Sequence, residues 1–568
     1  MNSHFRKTAN RTFKLIAIAE DERTKKFFGV IKFTDVYERT RTLLVNRADL
    51  DNKKSIAETL KNSGAQLPRS TQAVESAVET MANNSHTAPC WKFAATTGWR
   101  DGHRMYVRPK SIIGTNGPDV LIRPPCTFPG AKPSRLGTRG TFRQWQMTVA
   151  DPARYSSRVV FVICAALAAP LLKLVGLNSF GVLISGPAKV GKSTMLLTAG
   201  SVIGIGREQD LPNFRSTNAA LAEMPAEFND CLLPLNELGL MNGRAAERQE
   251  RLRTFAYGFA EGTGTTYSNF FLPGQSSLKW SCIALGTSEE SADQIAASAG
   301  ELRMSGEAVR CIDLPAAHTD ATTLFDFMPK DVPLEERTAW AEAMCVKLRK
   351  ACSKNHGVPM RRLVRLTIKD PKSIANELTT LAQEFTKKVQ RKTDGPVVRH
   401  LARNLAHIYA AGTIGVRLGI LPWHASLVLK SMRRCFVDAR AAMNTPDDLL
   451  RAGLRIFDRQ LNGPQVIEWK KNTSDSELRN VQGFWVRKGS HYRLTVCAKD
   501  FSSWFTDARQ SALVLKWLVE KESLAKPAPR NTINGIVWAE SQPIWPDGVR
   551  RRSIVVDLSK DLLKELTR

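Results

Sequence analysis

The sequence lacks the cysteine patterns of a metal-bound or disulfide-stabilised protein. Its 10 cysteines occur singly, with no Cys-x-x-Cys pair and no Cys/His cluster at metal-ligand spacing. This distribution argues against a zinc-ribbon or disulfide-framework class and predicts reduced, mostly buried thiols. The N-terminal segment MNSHFRKTANR has no apolar signal core, and there is no long internal repeat or low-complexity tract. We therefore predict a cytoplasmic globular protein.

Only one apolar segment, residues 159–177, is long enough to raise the question of a membrane span. It contains Pro170 and Lys173, and it runs directly into a predicted buried strand. We predict a buried helix packed on a sheet, and no membrane association.

Acidic residues are fewer than basic ones. The chain has 54 Asp and Glu against 82 Lys and Arg, a formal net charge of +28, and the excess is spread along the chain. A large basic excess favours a polyanionic partner, most often nucleic acid, although solubility or an acidic membrane surface would also account for it. We predict DNA as the partner.

The most specific motif is a phosphate-binding loop. Residues 186–194 fit G-x-x-x-x-G-K-[ST] between a predicted strand, FGVLIS, and an apolar helix, MLLTA. The alternative, a glycine-rich turn with a chance lysine, does not account for the strand and helix on either side. The motif predicts an ATP site formed by Gly186, Pro187, Ala188, Lys189, Val190, Gly191, Lys192, Ser193 and Thr194.

The motif also assigns individual roles. Backbone N–H groups of the loop surround phosphate oxygens, and the N-terminus of the following helix adds partial positive charge. Lys192 is expected to reach the β- and γ-phosphates, and the hydroxyl of Ser193 to bind Mg²⁺.

A second strand ends in a polar pair that fits the metal-binding strand of such enzymes. The run DCLLPLNE places Asn236 and Glu237 at the strand end, where carboxylates normally hold Mg²⁺ and orient the attacking water. Asn236 contributes a dipole but no charge, so we predict slow or lost hydrolysis. Further along, the strand WSCIAL ends before Thr287 and Ser288, whose hydroxyls are placed to sense the γ-phosphate.

The order of these motifs resembles the domain of unknown function 927 family, helicase-like AAA+ proteins of mobile genetic elements and prophages. The resemblance covers residues 99–315, more weakly 395–445 and 481–558, and rests on GTFRQW, FGVLISGPAKVGKST, RSTNAALAEMP, LNELG, WSCIALGTSEES and VRCIDLPA. It implies an oligomeric ring motor similar to minichromosome-maintenance helicases, with ATP and Mg²⁺ as cofactors and a homo-hexamer as the assembly.

The resemblance also implies residue roles. Glu237 corresponds to the catalytic glutamate, Thr287 or Ser288 to the sensor, and Asn236 to the usual metal-binding Asp. Arg303 or Arg310 would act on the γ-phosphate of a neighbouring subunit. The hairpin before Trp280 resembles the pore hairpin that contacts DNA.

These signals predict an α/β chain of five regions. A small α+β domain (1–90) contains antiparallel hairpins over 14–48 and helices over 53–62 and 70–81. A β-rich region (91–150), whose aromatics are either core or base-stacking residues, precedes an AAA+ P-loop core (151–318). A helical connector (319–450) carries the basic run at 361–365, which is either a solvated helix face or a DNA contact. The last region (451–568) is a winged-helix module or a protein-interaction module.

In the winged-helix interpretation, Arg550, Arg551 and Arg552 lie at the tip of the wing and contact phosphates. The sequence is then compatible with three functions. They are a replicative DNA helicase or translocase, an ATP-binding DNA-associated switch without efficient turnover, and an anti-phage defence ATPase.

Overall fold

The structure is a computed structural model, and it describes residues 13–559 and Leu562 with gaps. The gaps are 116, 118–119, 129–130, 132, 216, 242, 265–277, 300, 302, 320, 322, 444–445, 490, 506–507, 522, 524–531, 534–535, 538–539, 542 and 560–561. The described residues form two compact units. The first takes those of Met1–Asn242, Arg251–Ser291 and Val309–Ala439, and the second those of Gly243–Glu250, Ala292–Ala308 and Arg440–Arg568.

Two sheets open the first unit, and alternating apolar residues explain their strands. The strands are β1 (Lys14–Asp21), β2 (Phe27–Thr34), β3 (Thr40–Asn46), β4 (Cys90–Phe93), β5 (Gly98–Arg100), β6 (Met105–Val107), β7 (Ile112–Gly114) and β8 (Leu121–Arg123). The first sheet has the order β3-β2-β1-β4-β8 and the second the order β5-β6-β7. Because β1 pairs in parallel with β4, the first sheet continues across residue 90, where the sequence predicted a boundary.

Two helices, α1 (Lys53–Asn62) and α2 (Thr71–Asn83), pack on the first sheet. Both confirm sequence predictions, because their ends carry strong local signals. The side chain of Asn52 caps α1, that of Ser70 caps α2, and Gly64 after α1 has a positive φ of 82°.

Aromatic residues of the β-rich region belong to the core. Trp99 and Tyr106 are buried, and the indole N–H of Trp99 donates to the carbonyl of Pro170 at 2.5 Å. The hydroxyl of Tyr106 donates to the carbonyl of Asp230 at 2.7 Å. These bonds attach the small sheet to the segments around the central sheet, so the two aromatics are structural.

The central sheet of the first unit is entirely parallel, as the alternation of strands and helices predicted. The elements in this region are α3 (Phe142–Trp145), α4 (Asp151–Ala153), α5 (Ser157–Ala168), β9 (Phe180–Ser185), α6 (Lys192–Ile203), α7 (Asn218–Glu227), β10 (Leu232–Leu235), α8 (Ala245–Glu261), β11 (Ile283–Ser288), α9 (Ala292–Ser298), α10 (Ser305–Arg310) and β12 (Cys311–Pro315). The strand order is β10-β11-β9-β12. All four strands therefore end at one edge, where ligands of α/β sheets bind.

Helix α5 is buried along its whole length and packs against α6, β11 and a later helix, α14. The segment Ser157–Val175 is apolar enough to cross a membrane by length and composition, and 83% of its most apolar window is buried inside the protein. Its hydrophobicity is thus used in packing within the first unit.

The rest of the first unit is helical. It contains α11 (Arg337–Lys354), α12 (Val358–Lys369), α13 (Pro371–Val389), α14 (Pro396–Arg417) and α15 (Ala425–Ala442). At the start of α5, the buried guanidinium of Arg158 donates to the carboxylate of Asp438 on α15, which also accepts from Thr319 and contacts His318. This network attaches α15 to the segment that follows β12.

The second unit combines a sheet with helices. Its remaining elements are α16 (Pro446–Leu461), β13 (Val466–Glu468), α17 (Asp475–Arg479), β14 (Gly483–Lys488), β15 (His491–Cys497), α18 (Ala498–Ser503), α19 (Ala508–Glu520), β16 (Thr532–Ile533), β17 (Ile536–Val537), β18 (Glu540–Ser541) and β19 (Ser553–Ser559). The sheet order is β13-β14-β15-β19-β18, and β16 pairs separately with β17. Apolar residues of α16, α18, α19, β15 and β19 share one core.

Candidate functional site

The loop between β9 and α6 has the backbone shape that its glycines predicted. Gly191 has a φ of 105°, and a Cβ there would lie 2.9 Å from Cδ2 of Leu324, so only glycine fits. Lys189, a non-glycine residue, also has a positive φ of 64°. Strained backbone of this kind is typical of loops that surround a ligand.

The first turn of helix α6 presents backbone N–H groups that can bind an anion. Its first residue is Lys192, and its N-cap, Gly191, supplies no side-chain hydrogen bond to the first turn. The amide N–H groups of that turn have no partner within the helix and carry the positive end of its dipole. This is the arrangement that binds phosphate groups.

Lys192 is held over the loop. Its side chain is 7% exposed, and its ammonium donates to the carbonyls of Gly186 at 2.7 Å and Pro187 at 2.8 Å. Burial lowers the pKa of Lys192, and the carboxylates of Glu237 and Glu289 act in the opposite direction. An anionic ligand near this ammonium would favour its charged form.

The loop opens into a cavity of about 610 Å³, a size typical of small-molecule sites. Seven residues of the predicted loop line it, together with Glu237, Glu289 and one face of a helical segment. The lining residues are Ala188, Lys189, Val190, Gly191, Lys192, Ser193, Thr194, Glu237, Glu289, Thr323, Leu324, Thr338, Ala341, Glu342, Cys345, Val346 and Arg349.

The ends of β10 and β11 are joined by one hydroxyl. The backbone N–H of Glu237 donates to Oγ1 of Thr287 at 2.9 Å, and the Thr287 hydroxyl lies 3.3 Å from Oδ1 of Asn236, to which it donates. Thr287 is fully buried, and both Thr287 and Ser288 belong to β11, although the sequence placed them after the strand. The Thr287 hydroxyl therefore fixes the backbone that carries Glu237.

Glu237 and Asn236 differ in what they face. Glu237 lines the cavity, has a positive φ of 52°, and accepts a hydrogen bond from the N–H of Gly239 at 3.3 Å. Asn236 is absent from the cavity lining within the described residues, and its amide oxygen points to Thr287. Of the predicted pair Asn236 and Glu237, the glutamate is the one that lines the cavity.

Sequence reasoning missed the face of α11 that closes the cavity. The lining residues lie on successive turns of the helix, at Thr338, at Ala341 and Glu342, at Cys345 and at Arg349, which places them on one side of it. This spacing was readable, but nothing local in the sequence shows which partner a helix face has.

Arg349 is the cation of that face. Its guanidinium lies 3.5 Å from Oγ1 of Thr194 and 3.9 Å from the carboxylate of Glu208. It therefore adds a further positive charge beside the loop, partly offset by the carboxylate of Glu208.

The two candidate trans arginines lie in different units and different surroundings. The Arg303 side chain is 5% exposed and lies 3.6 Å from the carboxylate of Asp293 in the second unit. Arg310 is the last residue of α10, and its guanidinium lies 4.3 Å from the ring centre of Tyr257 in the first unit. Since Cys311 pairs with Gly181 and Pro315 with Ser185, Arg310 lies at the sheet edge opposite the phosphate loop.

The three arginines before β19 differ in their surroundings. Arg551 pairs with Asp547 at 2.5 Å and stacks on Trp545 at 4.3 Å, whereas Arg550 and Arg552 are exposed. The predicted pore hairpin lies mainly in residues 265–277, outside the described residues.

The donor set suits a nucleotide with Mg²⁺ more than a metal ion alone. No group of three or more His, Cys, Asp or Glu side chains that could hold a metal occurs in the part of the chain that is described. Mg²⁺ commonly takes one or two protein oxygens, with phosphates and water completing its shell. Ser193 and Glu237, both on the cavity wall, could supply those oxygens.

Comparisons with known proteins agree with this geometry. The family profile "Domain of unknown function (DUF927)" matches residues 5–270, whereas no curated protein matches the sequence. A solved structure described as "SCCmec type IV Cch - active helicase" matches with a TM-score of 0.53 and 14% identity, covering 98% of this chain and 95% of that chain. Another, "The A form apo structure of NrS-1 C terminal region-CTR", gives a TM-score of 0.22 and 10% identity over 69% and 86% of the two chains, too low for an inference. Residues 5–270 thus resemble the DUF927 family, and the chain has a mixed α/β fold like that of a helicase.

Proposed function

We propose that this protein is an ATP-dependent, ring-forming DNA helicase or translocase of a mobile genetic element or prophage, acting in DNA replication in the cytoplasm. In this proposal residues 151–318 are an AAA+ core, 319–450 a lid and connector, and 451–568 a winged-helix module. The active helicase with the similar fold and the family match over residues 5–270 support the general class.

One observation carries the proposal. Lys192 and Ser193 of the loop and Glu237 of the neighbouring segment, distant in sequence, line one cavity at the carboxyl edge of the parallel sheet. A cation, a hydroxyl and a carboxylate around a helix N-terminus are the groups that phosphoryl transfer from ATP requires.

Each residue then has a role. Lys192 and the α6 N-terminus bind the phosphates, Ser193 binds the metal, and Glu237 orients the water. Mg²⁺, when bound, neutralises charge on the transferring phosphoryl group. Thr287 is a positioning residue, because its hydroxyl holds the backbone of Glu237. Arg349 extends a positive charge over the loop from the opposite wall.

The position of Arg310 supports a shared site in a homo-hexameric ring. Along the five residues of β12, at ~3.3 Å per residue, Arg310 is separated from its own loop by more than ~13 Å. It cannot serve its own nucleotide in this conformation, so a role at ATP requires the site of a neighbouring subunit. Arg303, buried beside Asp293, is the weaker candidate for the same role.

DNA as the partner is supported by charge and by the second unit. The net charge of +28 favours a polyanion, and the order β14, β15, α18, α19, β19 follows that of a winged helix. Arg550 and Arg552 are exposed at the proposed wing, where their side chains would contact phosphates, and Arg551 pairs with Asp547.

A second function, an ATP-binding switch with weak turnover, is favoured by Asn236. Its amide oxygen accepts the Thr287 hydrogen bond and carries no charge for the metal. The two functions are separated by steady-state ATPase measurements, with and without DNA, on wild type, Asn236→Asp and Glu237→Gln. A motor predicts that wild type turns over and only Glu237→Gln is inactive. If wild type is as inactive as Glu237→Gln and Asn236→Asp restores turnover, the switch is correct.

A further inference from the structure

Two segments that are far apart in the sequence are almost devoid of acidic residues. Residues 102–150 contain a single one, Asp119, and residues 355–369 contain none. The basic residues of the two segments are Arg104, Arg108, Lys110, Arg123, Lys132, Arg135, Arg139, Arg143, Arg361, Arg362, Arg365 and Lys369.

The fold of the first unit brings these segments together. The N–H of Arg139 donates to the carbonyl of His356 at 3.0 Å, and the N–H of His356 donates back to Arg139 at 3.0 Å. Helix α12 packs against both β7 and α3. The guanidinium of Arg362 lies 5.9 Å from the ring centre of Phe142 on α3. The two basic segments therefore meet at the Arg139–His356 contact and along α12.

We define the arginine surface by six residues on these elements: Arg108, Arg139, Arg143, Arg361, Arg362 and Arg365. Four of them, on either side of the Arg139–His356 contact, are exposed; these are Arg139, Arg143, Arg362 and Arg365. Within the described residues, no carboxylate lies within 4.0 Å of any of the six guanidiniums, in contrast to Arg104, which pairs with Asp101. The surface thus lacks internal neutralisation.

Arg108 and Arg361 are the less exposed residues of the arginine surface. Arg108 is 6% exposed, and its guanidinium donates to Oγ1 of Thr138 at 2.9 Å and to the carbonyl of Gly137 at 3.2 Å. Burial and the nearby charge of Arg361 lower the pKa of Arg108. Nε of Arg361 is itself buried and makes no hydrogen bond to described residues. Two adjacent, partly desolvated cations are unfavourable alone and would be stabilised by an anion.

The shape of the surface favours an extended anion over a small one. Arg361 and Arg365 are one helical turn apart, about 6 Å along α12, and Arg139 and Arg143 continue the positive charge onto a second segment. Several guanidiniums in series match successive phosphates, since each guanidinium donates to phosphate oxygens in a planar fork. Phe142, the aromatic residue beside Arg362, is half-buried, so we expect contacts to phosphates rather than base stacking on this ring.

We propose that the arginine surface binds the phosphodiester backbone of DNA without reading its sequence. This inference rests on the proposed function and adds to it a DNA contact on the first unit, separate from Arg550 and Arg552. Phosphate contacts of this type position a strand and are strongly salt-dependent.

The test uses the full-length protein and two matched variants. One carries Arg139→Ala, Arg143→Ala and Arg365→Ala; the control carries Lys372→Ala, Lys387→Ala and Lys388→Ala, three exposed lysines of α13. Both lose three positive charges. Binding of a fluorescent single-stranded DNA is measured by anisotropy between about 50 and about 200 mM salt. The slope of log affinity against log salt is negative, and each lost phosphate contact reduces its magnitude by about 0.7. For the arginine variant the magnitude of the slope should therefore fall by about 2.

The control should retain most of the wild-type slope, and both variants should bind ATP as wild type does. Equal DNA affinity of the two variants would overturn the arginine surface but leave the proposed function intact. Absence of DNA binding by wild type at low salt would instead contradict the DNA partner itself. Selective loss of binding to phosphatidylserine vesicles, with DNA binding unchanged, would assign the surface to a membrane.

A smaller perturbation covers the case in which the triple arginine variant loses ATP binding. Arg143→Glu and Lys388→Glu each reverse one exposed charge and are compared in the same titration. A weaker DNA affinity for Arg143→Glu than for Lys388→Glu supports the surface, and identical affinities overturn it.

Discussion

The hydroxyl of Thr287 gives a sharp prediction about the site. It accepts from the N–H of Glu237 at 2.9 Å and donates to Oδ1 of Asn236 at 3.3 Å. Replacing Thr287 by Val keeps the shape of this buried side chain but removes both bonds. An unmet buried donor is unfavourable by about 1–3 kcal/mol, and the positive φ of Glu237 stores a strain of similar size. The strand end should then relax and carry the Glu237 carboxylate away from the cavity.

The expected result is a loss of turnover with little loss of nucleotide affinity. A misplaced water-orienting group should reduce kcat about 100-fold, equivalent to ~2.7 kcal/mol of transition-state stabilisation. The dissociation constant of a fluorescent ATP analogue should change less than about threefold, because Lys192 and the α6 N-terminus are untouched. Thr287→Ser is the matched control, since it retains the hydroxyl, and it should stay near wild type. Equal kcat for Thr287→Val and Thr287→Ser would refute the positioning role.

Three further predictions follow from named contacts. Lys192→Ala should lower ATP affinity tenfold or more by calorimetry without changing the melting temperature; unchanged affinity would refute the phosphate-loop assignment. Arg310→Ala should abolish ATPase while keeping ATP binding, and mixing it with Lys192→Ala should restore part of the activity. Arg303→Ala should instead destabilise the fold, so loss of ATPase in a stable Arg303→Ala protein would reverse the assignment. Asp438→Asn leaves Arg158 buried without its ion pair, which should lower the unfolding free energy by about 3–5 kcal/mol in urea titrations. Burial raises the pKa of Asp438, but bonds from His318 and Arg158 outweigh it and lower that pKa overall, so this stability is present at neutral pH and lost as pH falls through the folded pKa. The free energy of unfolding of Asp438→Asn should therefore depend less on pH in the acid range than that of wild type. An unchanged pH dependence would contradict this reasoning.

Local signals in the sequence predicted the elements that carry the site. The phosphate-loop motif predicted the end of β9 and the start of α6, because a glycine such as Gly191 permits the positive φ that the turn into the helix requires. Helix α1 has the predicted bounds, since its cap and the glycine that follows act over a few residues. The apolar segment 159–177, which includes most of α5, was predicted to be core because it contains Pro170 and Lys173 and precedes a strand.

Contacts between segments that are distant in the sequence could not be predicted from such local signals. Strands β4 and β8 join the N-terminal sheet across the predicted boundary at residue 90, because parallel pairing leaves no local mark. The cavity face of α11 and the meeting of Arg139 with His356 likewise depend on tertiary packing. The three arginines before β19 looked equivalent in sequence, yet the structure shows Arg551 paired with Asp547 and stacked on Trp545.

The most direct test of the central claim is Mg²⁺-dependent ATP hydrolysis by the purified full-length protein, measured with and without DNA. The account predicts hydrolysis that DNA stimulates and that Lys192→Ala abolishes. Hydrolysis by wild type that is no faster than by Lys192→Ala, in the presence or absence of DNA, would contradict the proposal that this protein is an ATP-driven motor.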